Sequence, residues 1–332
     1  MLRCACLIPP HLFVQLFDSR TLADLEETCQ IVRPLRGDRV TEDEAARLLQ
    51  DADIVITSWG SPNLSHRLLE KAPGLKLIAH AAGSVKGIVS DAVWDRGVRL
   101  VSSAAANAEE VAIFTTGLMS LGRKNAFRIS QEFREGKDYR FESGRPHDLY
   151  RCRIGLVGAG HIGRKVARLI EGWEADVRFY DPFMSPQDAA ALGASLEPDL
   201  DSLVKWADIL SVHAPNLPET RHMLGAHNLP LMPDGSVLIN TARGALIDED
   251  ALIRELETGR IYACLDVTSP EPPAPDSPLR TLPNVFLTPH IAGCMQEGIA
   301  RMGALAVREI RSYIAGDPLT QEITRKMLAY IA

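Results

Sequence analysis

No stretch of the chain approaches the roughly twenty consecutive apolar residues that a bilayer-spanning helix requires. A helical membrane protein is therefore not expected. Cysteine is sparse as well. Cys4, Cys6, Cys29, Cys152, Cys264 and Cys294 are scattered, with neither zinc-ligand spacing nor the density of a disulfide framework. Reduced thiols, a cytoplasmic setting and no bound metal are the expectation. Basic charge is not in excess either, since 36 basic against 43 acidic residues leave a formal net charge of −7. That balance argues against nucleic acid or an anionic membrane as a general partner and leaves room for a local basic pocket. The amino-terminal MLRCACLIPPHLFVQLF is apolar, but it has no basic lead, and Pro9 and Pro10 interrupt it. A first strand and turn is expected there rather than a signal peptide. No repeat of fixed period and no low-complexity segment occurs.

What the sequence does contain is alternation. Short β-branched runs alternate with helical patterns nearly from end to end, the mark of parallel βαβ units. At 332 residues the chain exceeds the usual size of one hydrophobic core, so two domains are expected. In the first block, strands are predicted near Cys4–Ile8, Ile31–Pro34, Ile54–Ser58, Leu77–His80 and Leu100–Ser102. Helices near Leu22–Cys29, Glu42–Gln50, Ser65–Glu70 and Ser90–Arg96 separate them, giving a flavodoxin-like half. A long helix over Ala108–Arg128 leads into a polar segment, after which a second strand series begins. Its members are Arg153–Val157, Val177–Tyr180, Ile209–Val212, Val237–Asn240, Tyr262–Asp266 and Val285–Leu287. SPEPPAPDSP, between the last two, is too rich in proline for helix or central strand, and Met295–Ile314 is again helical.

In IGLVGAGHIGRKVARLI, Gly158, Gly160 and Gly163 follow a strand directly and open a helix. Gly158 suits a tight turn, Gly160 lets backbone, including that of His161 and Ile162, approach a pyrophosphate, and Gly163 permits close helix–strand packing. The pattern is weak alone. The next strand, however, ends in Asp181, 18 residues beyond Gly163, where an acid accepts hydrogen bonds from a ribose. Pro182 and Phe183 follow instead of an arginine, and a carboxylate there repels a 2′-phosphate, so NAD is favoured over NADP.

Three polar residues stand at the ends of later strands: Arg243 after VLINTA, Glu271 after ACLDV, and His290 in FLTPH. Taken singly, Arg243 reads better as the first solvated residue beyond a strand, Glu271 as a solvated loop acid and His290 as a structural histidine. A nicotinamide enzyme that reduces a 2-keto acid needs a cation for the carboxylate, a proton donor for the carbonyl oxygen and a group that orients that donor. Arg, His and Glu match those needs in turn.

GAGHIG, Asp181, INTARG, LDVxxxEP and TPHIAG occur in the order and approximate spacing of the D-2-hydroxyacid dehydrogenases. The chain resembles that NAD-dependent family over essentially its whole length, most closely from Arg153 to Gly293. The resemblance implies an α/β protein of two doubly wound, Rossmann- or flavodoxin-like domains, with the coenzyme domain inserted in the substrate domain. Residues 1–103 and 292–332 would form the substrate domain. Residues 104–291 would bind NAD and supply a dimerisation arm around 123–150, giving a homodimer. Arg243 would bind the substrate carboxylate and polarise the carbonyl. His290 would be the acid and base, and Glu271 would pair with its imidazole and favour the charged form. Asp181 would hold the ribose and Asp266 the nicotinamide amide, while His213, Pro215 and Thr241 would line the cofactor cleft. Gly83 and Ser84 would offer backbone amides to the substrate carboxylate. The long C-terminal extension of some phosphoglycerate dehydrogenases has no counterpart, so feedback through such a domain is not expected.

The chain departs from the family pattern in HAAGSVKGIVSD, where Lys86 and Val89 stand at positions usually held by aspartates, and in VAIF, Val111–Phe114, where VAEH is usual. Should Lys86 face the cleft, the substrate would carry a second anionic or strongly polar group. The readings weighed against a dehydrogenase are an NAD-sensing regulatory protein and a phosphonate-type oxidiser of the same fold.

Overall fold

The structure, a computed structural model, describes residues 1–34, 37–137 and 144–331. The chain divides into two compact units, Met1–Ala108 with Cys294–Ala332 and Glu109–Gly293.

The first unit is built on a parallel five-stranded sheet of β1 (Leu2–Cys6), β2 (Cys29–Val32), β3 (Ile54–Thr57), β4 (Leu77–His80) and β5 (Arg99–Ser102), in the order β2-β1-β3-β4-β5. Every residue of β3 and β4 is buried, because helices cover both faces of the sheet. One face packs against helices Pro10–Leu16, Ser19–Thr28 and Glu297–Ala315, through Phe13, Leu16, Leu25, Met302 and Ile310. The other packs through Leu49, Leu68, Val93 and their neighbours.

The second unit carries β6 (Arg153–Val157), β7 (Asp176–Tyr180), β8 (Ser195–Leu196), β9 (Ile209–Val212), β10 (Val237–Asn240), β11 (Tyr262–Leu265) and β12 (Val285–Leu287). Their order is β12-β11-β10-β9-β6-β7-β8, all parallel, so strand order reverses on either side of β6. This is the doubly wound dinucleotide-binding arrangement with one added edge strand. Cores on its two faces are led by Leu203, Leu210, Leu246 and Leu265, and by Leu156, Val166, Phe179 and Ile239.

Local departures from expectation have physical causes. Where a turn is expected at Pro9-Pro10, a helix runs from Pro10 to Leu16. Proline at its first turn costs nothing, because the missing N–H would have no helical partner there. Cys29 begins β2 rather than ending a helix, and it pairs with Leu2. The single helix expected over Ala108–Arg128 is two, Ala104–Arg123 and Ala126–Arg134, parted at Asn125, whose φ of 50° is left-handed. Of the expected arm, residues 138–143 lie outside the described residues.

Candidate active site

The turn after β6 demands its glycines. Gly158 has φ +102°, and a Cβ there would lie 2.7 Å from the Ala214 nitrogen. A Cβ on Gly163 would lie 2.1 Å from the Gly158 oxygen, so helix His161–Leu169 can approach the strand only if that residue is glycine. Gly160 differs: a Cβ there would meet nothing within 4 Å. Above it is open space at a helix N-terminus whose first N–H groups lack helical acceptors, a seat for a phosphate. His161 and Ile162 form the first turn beside it.

Asp181, just past β7, accepts hydrogen bonds from Ala159 N at 2.7 Å through Oδ2 and from Phe183 N at 2.8 Å through Oδ1. The carboxylate thus braces the glycine turn, remains partly exposed and keeps acceptor sites for hydroxyl donors. Buried His213 lies where a Gly158 side chain would collide, with its Nε2 3.0 Å from Ser211 Oγ. Its Nδ1 is buried and has no partner among the described residues. Pro215 uses its carbonyl to accept Thr220 Oγ1 at 2.6 Å. Thr241 is buried 2.8 Å from Thr115 Oγ1. Thr115 donates to Val111 O at 2.7 Å, so Thr241 is the donor of the pair and its own oxygen stays an acceptor. The glycine cradle, the braced acid and the orphaned imidazole nitrogen fit a dinucleotide.

Beyond β10 the chain turns sharply to present Arg243. The Asn240 side chain clamps that turn, its Oδ1 accepting Ala242 N at 3.0 Å and its Nδ2 donating to Arg243 O at 2.9 Å. A Cβ on Gly244 would lie 2.1 Å from the Thr268 carbonyl atoms, so this glycine admits the backbone of the segment after β11. That segment is held a second time, by Glu249 Oε2 accepting Ser269 N at 2.9 Å. It carries Glu271. Burial lowers the pKa of the Arg243 guanidinium, and the nearby Glu271 carboxylate opposes that shift. The side chain remains cationic at neutral pH.

Glu271 Oε1 lies 2.6 Å from His290 Nδ1, and both side chains are exposed. The pairing engages Nδ1 and leaves Nε2 of His290 outside it. His290 itself has φ +56°, a left-handed conformation that an L residue holds only when its surroundings impose it. Asp266 imposes it. Its carboxylate is buried and accepts Thr288 Oγ1 at 2.6 Å, Ile291 N at 2.8 Å and Ala292 N at 2.9 Å. Its backbone oxygen accepts His290 N at 2.9 Å. Asp266, expected to bind the nicotinamide amide, is therefore also the anchor of the histidine turn, with about one of four acceptor sites left over.

Arg243, Glu271, His290 and all the expected cofactor residues fall in the second unit, whereas Gly83, Ser84 and Lys86 fall in the first, beyond β4. There the Ala81 carbonyl accepts Ser58 Oγ at 2.9 Å, and the Ala82 and Gly83 carbonyls accept Ser102 Oγ at 3.1 and 2.7 Å. Lys86 is exposed. Residues that sequence reasoning did not single out support both loops: Asn240, Gly244, Glu249 and Thr288 in one unit, and Ser58, Ser102 and His80 in the other.

His80 ends β4, buried, with Nδ1 3.0 Å from Thr57 Oγ1 and a backbone hydrogen bond to Ser84. Burial pushes its pKa down to about 4, whereas an unfolded imidazole titrates near 6.5. Between those values the unfolded chain takes a proton that the folded chain refuses. The His80 contribution to stability is thus complete above about pH 6.5 and lost as pH falls toward 4, about 3 kcal/mol in all. His213, pushed down to about 3, acts in the same sense. Denaturant unfolding at pH 7.5 and 5 should show an acid loss about 2 kcal/mol smaller in His80→Gln than in the wild type. Equal acid losses in the two proteins would contradict the assignment.

Residues 116–292 match the family model described as D-isomer specific 2-hydroxyacid dehydrogenase, NAD binding domain. The chain belongs to that family. Among curated relatives, this 2-hydroxyacid dehydrogenase family member is 32% identical over 279 residues to a D-3-phosphoglycerate dehydrogenase of Methanocaldococcus jannaschii, covering 84% of this chain and 53% of that protein. It is 30% identical over 277 residues to a hydroxypyruvate reductase of Thermotoga maritima, covering 82% and 89%. The chain spans about half the length of the phosphoglycerate dehydrogenases that it matches. Among solved structures, the apo form of Rhodotorula graminis D-mandelate dehydrogenase superposes with a TM-score of 0.83 at 25% identity, covering 98% of each chain. No helix among the described residues is long and apolar enough to cross a membrane.

Proposed function

We propose that this family member interconverts a 2-keto acid and the corresponding D-2-hydroxy acid with NAD(H). The observation that carries the reading is the 2.6 Å His290–Glu271 pair, in the same compact unit as a dinucleotide cradle and the half-buried Arg243. Nicotinamide, when bound, supplies the hydride in reduction and receives it in oxidation. Arg243 binds the substrate carboxylate and draws electron density toward the carbonyl oxygen. His290 delivers a proton from Nε2 to that oxygen in reduction and removes it in oxidation. Glu271 holds the ring by Nδ1. Asp266 and Thr288 fix the turn that aims the imidazole.

In the same reading residues 104–291 form the coenzyme domain, and residues 1–103 with 292–332 form the substrate domain. The Gly83 and Ser84 amides bind the carboxylate, and Lys86 adds an attractive field at their loop. Gly158, Gly160, His161, Ile162 and Gly163 receive the pyrophosphate, while His213, Pro215 and Thr241 line the nicotinamide side. A homodimer through the segment 123–150 draws support from helix Ala126–Arg134, which has no buried residue, and from exposed Ile113 and Leu121 on the helix before it. Six free, buried thiols suit a reducing cytoplasm. A purely NAD-sensing role is not favoured, because the relatives above are named as reductases and dehydrogenases.

The test is to mix the protein with NADH and a panel of 2-keto acids and to follow nicotinamide absorbance. Turnover of at least one acid is expected, and tight NADH binding with no turnover of any would defeat the proposal. Calorimetry with NADP should show much weaker binding than with NAD, because Asp181 repels a 2′-phosphate and loses its ribose hydrogen bonds to it. Equal affinities would remove Asp181 from that role.

A further inference from the structure

The proposed reaction leaves the side chain of the 2-keto acid unspecified. In the first unit, strand order reverses between β1 and β3, the switch point at which open α/β sheets expose a crevice beyond the strand ends. The two loops that meet there are tied together. Ser61 Oγ donates to Leu7 O at 2.6 Å, Ser58 N donates to Ser61 Oγ at 2.9 Å, and Ser61 N donates to Ser58 O at 3.2 Å. Gly60 has φ +78°, and a Cβ there would sit 3.3 Å from Pro9 Cγ. The turn is rigid, and at its apex stands Trp59.

The Trp59 side chain is out of the core: the residue is 44% exposed, although tryptophan is highly buried on average. On a hydrogen-bonded turn, binding to this ring costs no ordering of the backbone, only the restriction of its two side-chain torsions. The same turn joins the Gly83–Ser84 loop, because Ser58 Oγ donates to Ala81 O at 2.9 Å. The indole and the proposed carboxylate-binding amides are thus set on neighbouring strand ends by one hydrogen-bonded frame.

Charge completes the argument. From Leu7 to Pro10, from Ser58 to Pro62 and from Ala81 to Val85 these loops contain no lysine or arginine, and Lys86 is the first cation after them. A phosphate-bearing substrate calls for clustered cations or a bidentate arginine. An indole offers dispersion and a π face instead.

We infer that Trp59 is a specificity-determining residue, and that the substrate is a 2-keto acid with an aromatic side chain that packs on the indole. The inference rests on the proposed reaction and narrows it. It separates this chain from phosphate-bearing substrates.

The experiment compares kcat/KM for phenylpyruvate, glyoxylate and phosphohydroxypyruvate in wild type, Trp59→Ala and Trp59→Phe. Wild type should favour phenylpyruvate over phosphohydroxypyruvate. In Trp59→Ala the ratio of phenylpyruvate to glyoxylate turnover should fall about tenfold or more, mainly through KM, because glyoxylate has no side chain to lose the contact. Trp59→Phe should retain most of the ratio. An unchanged ratio in Trp59→Ala, or a wild-type preference for phosphohydroxypyruvate, would overturn the inference. If none of the acids is turned over, the proposed reaction fails, yet calorimetric binding of phenylpyruvate to wild type and Trp59→Ala still decides the role of Trp59. Weaker binding to the variant supports it, and equal binding overturns it.

Discussion

Replacing Arg243 with alanine should lower kcat/KM for a 2-keto acid by several kcal/mol, on the order of a hundredfold or more, while NAD binding measured by calorimetry stays near the wild-type value. The substitution removes both an ion pair to the substrate carboxylate and a charge facing the oxygen on which negative charge develops. Arg243 is partly desolvated, which strengthens each of those interactions. Arg243→Lys should restore only part of the loss, since a point charge on a flexible stem cannot reproduce a planar fork. Near-normal turnover by the alanine variant would take Arg243 out of the mechanism.

A comparable loss is expected at His290. His290→Gln should reduce kcat by about 10²- to 10⁴-fold, the usual contribution of a positioned acid or base. The direction of pH dependence is equally specific. Reduction needs a proton on the imidazole and should fall as pH rises, whereas oxidation needs the proton absent and should fall as pH drops. Glu271→Gln should lower kcat in both directions by about tenfold or more, because a neutral amide 2.6 Å from Nδ1 makes a weaker hydrogen bond than a carboxylate and orients the ring less firmly. An unchanged kcat in that variant would sever the pair from catalysis.

Much of this was legible in the sequence because of how parallel sheets are made. Strands covered on both faces must be apolar throughout, so runs such as Ile54–Thr57 and Val237–Asn240 announce themselves. The polar residues that end them stand out by contrast, and that contrast exposed Arg243, Asp181 and His290. Features set by single contacts were not legible. The two-residue strand Ser195–Leu196 is too short for any periodicity, and the break at Asn125 depends on one left-handed residue within an otherwise helical pattern.

The site followed the same division. The residues proposed to touch ligands could be picked out by their place at strand ends. The residues that hold them could not. The clamp of Asn240 is hidden in a motif where only the arginine draws attention, and Gly244 reads as an ordinary turn glycine until Thr268 is seen packed against it. Asp266 is the sharpest case. A buried acid at the end of a strand suggests a ligand contact, yet three of its acceptor sites serve the backbone and threonine around His290. Trp59 drew no attention in a linear reading, because its meaning comes from the reversal of strand order between β1 and β3.

The central claim is hydride transfer between nicotinamide and the α-carbon of a keto acid, with the proton passing through His290. The most direct measurement uses NADH deuterated at the transferring position with a 2-keto acid that supports turnover, and locates the label in the product. Deuterium on C2 of the D-2-hydroxy acid, formed by wild type and strongly diminished in His290→Gln, is the predicted result. NADH consumption without label at C2, label in the L isomer, or equal rates in the two proteins would contradict it.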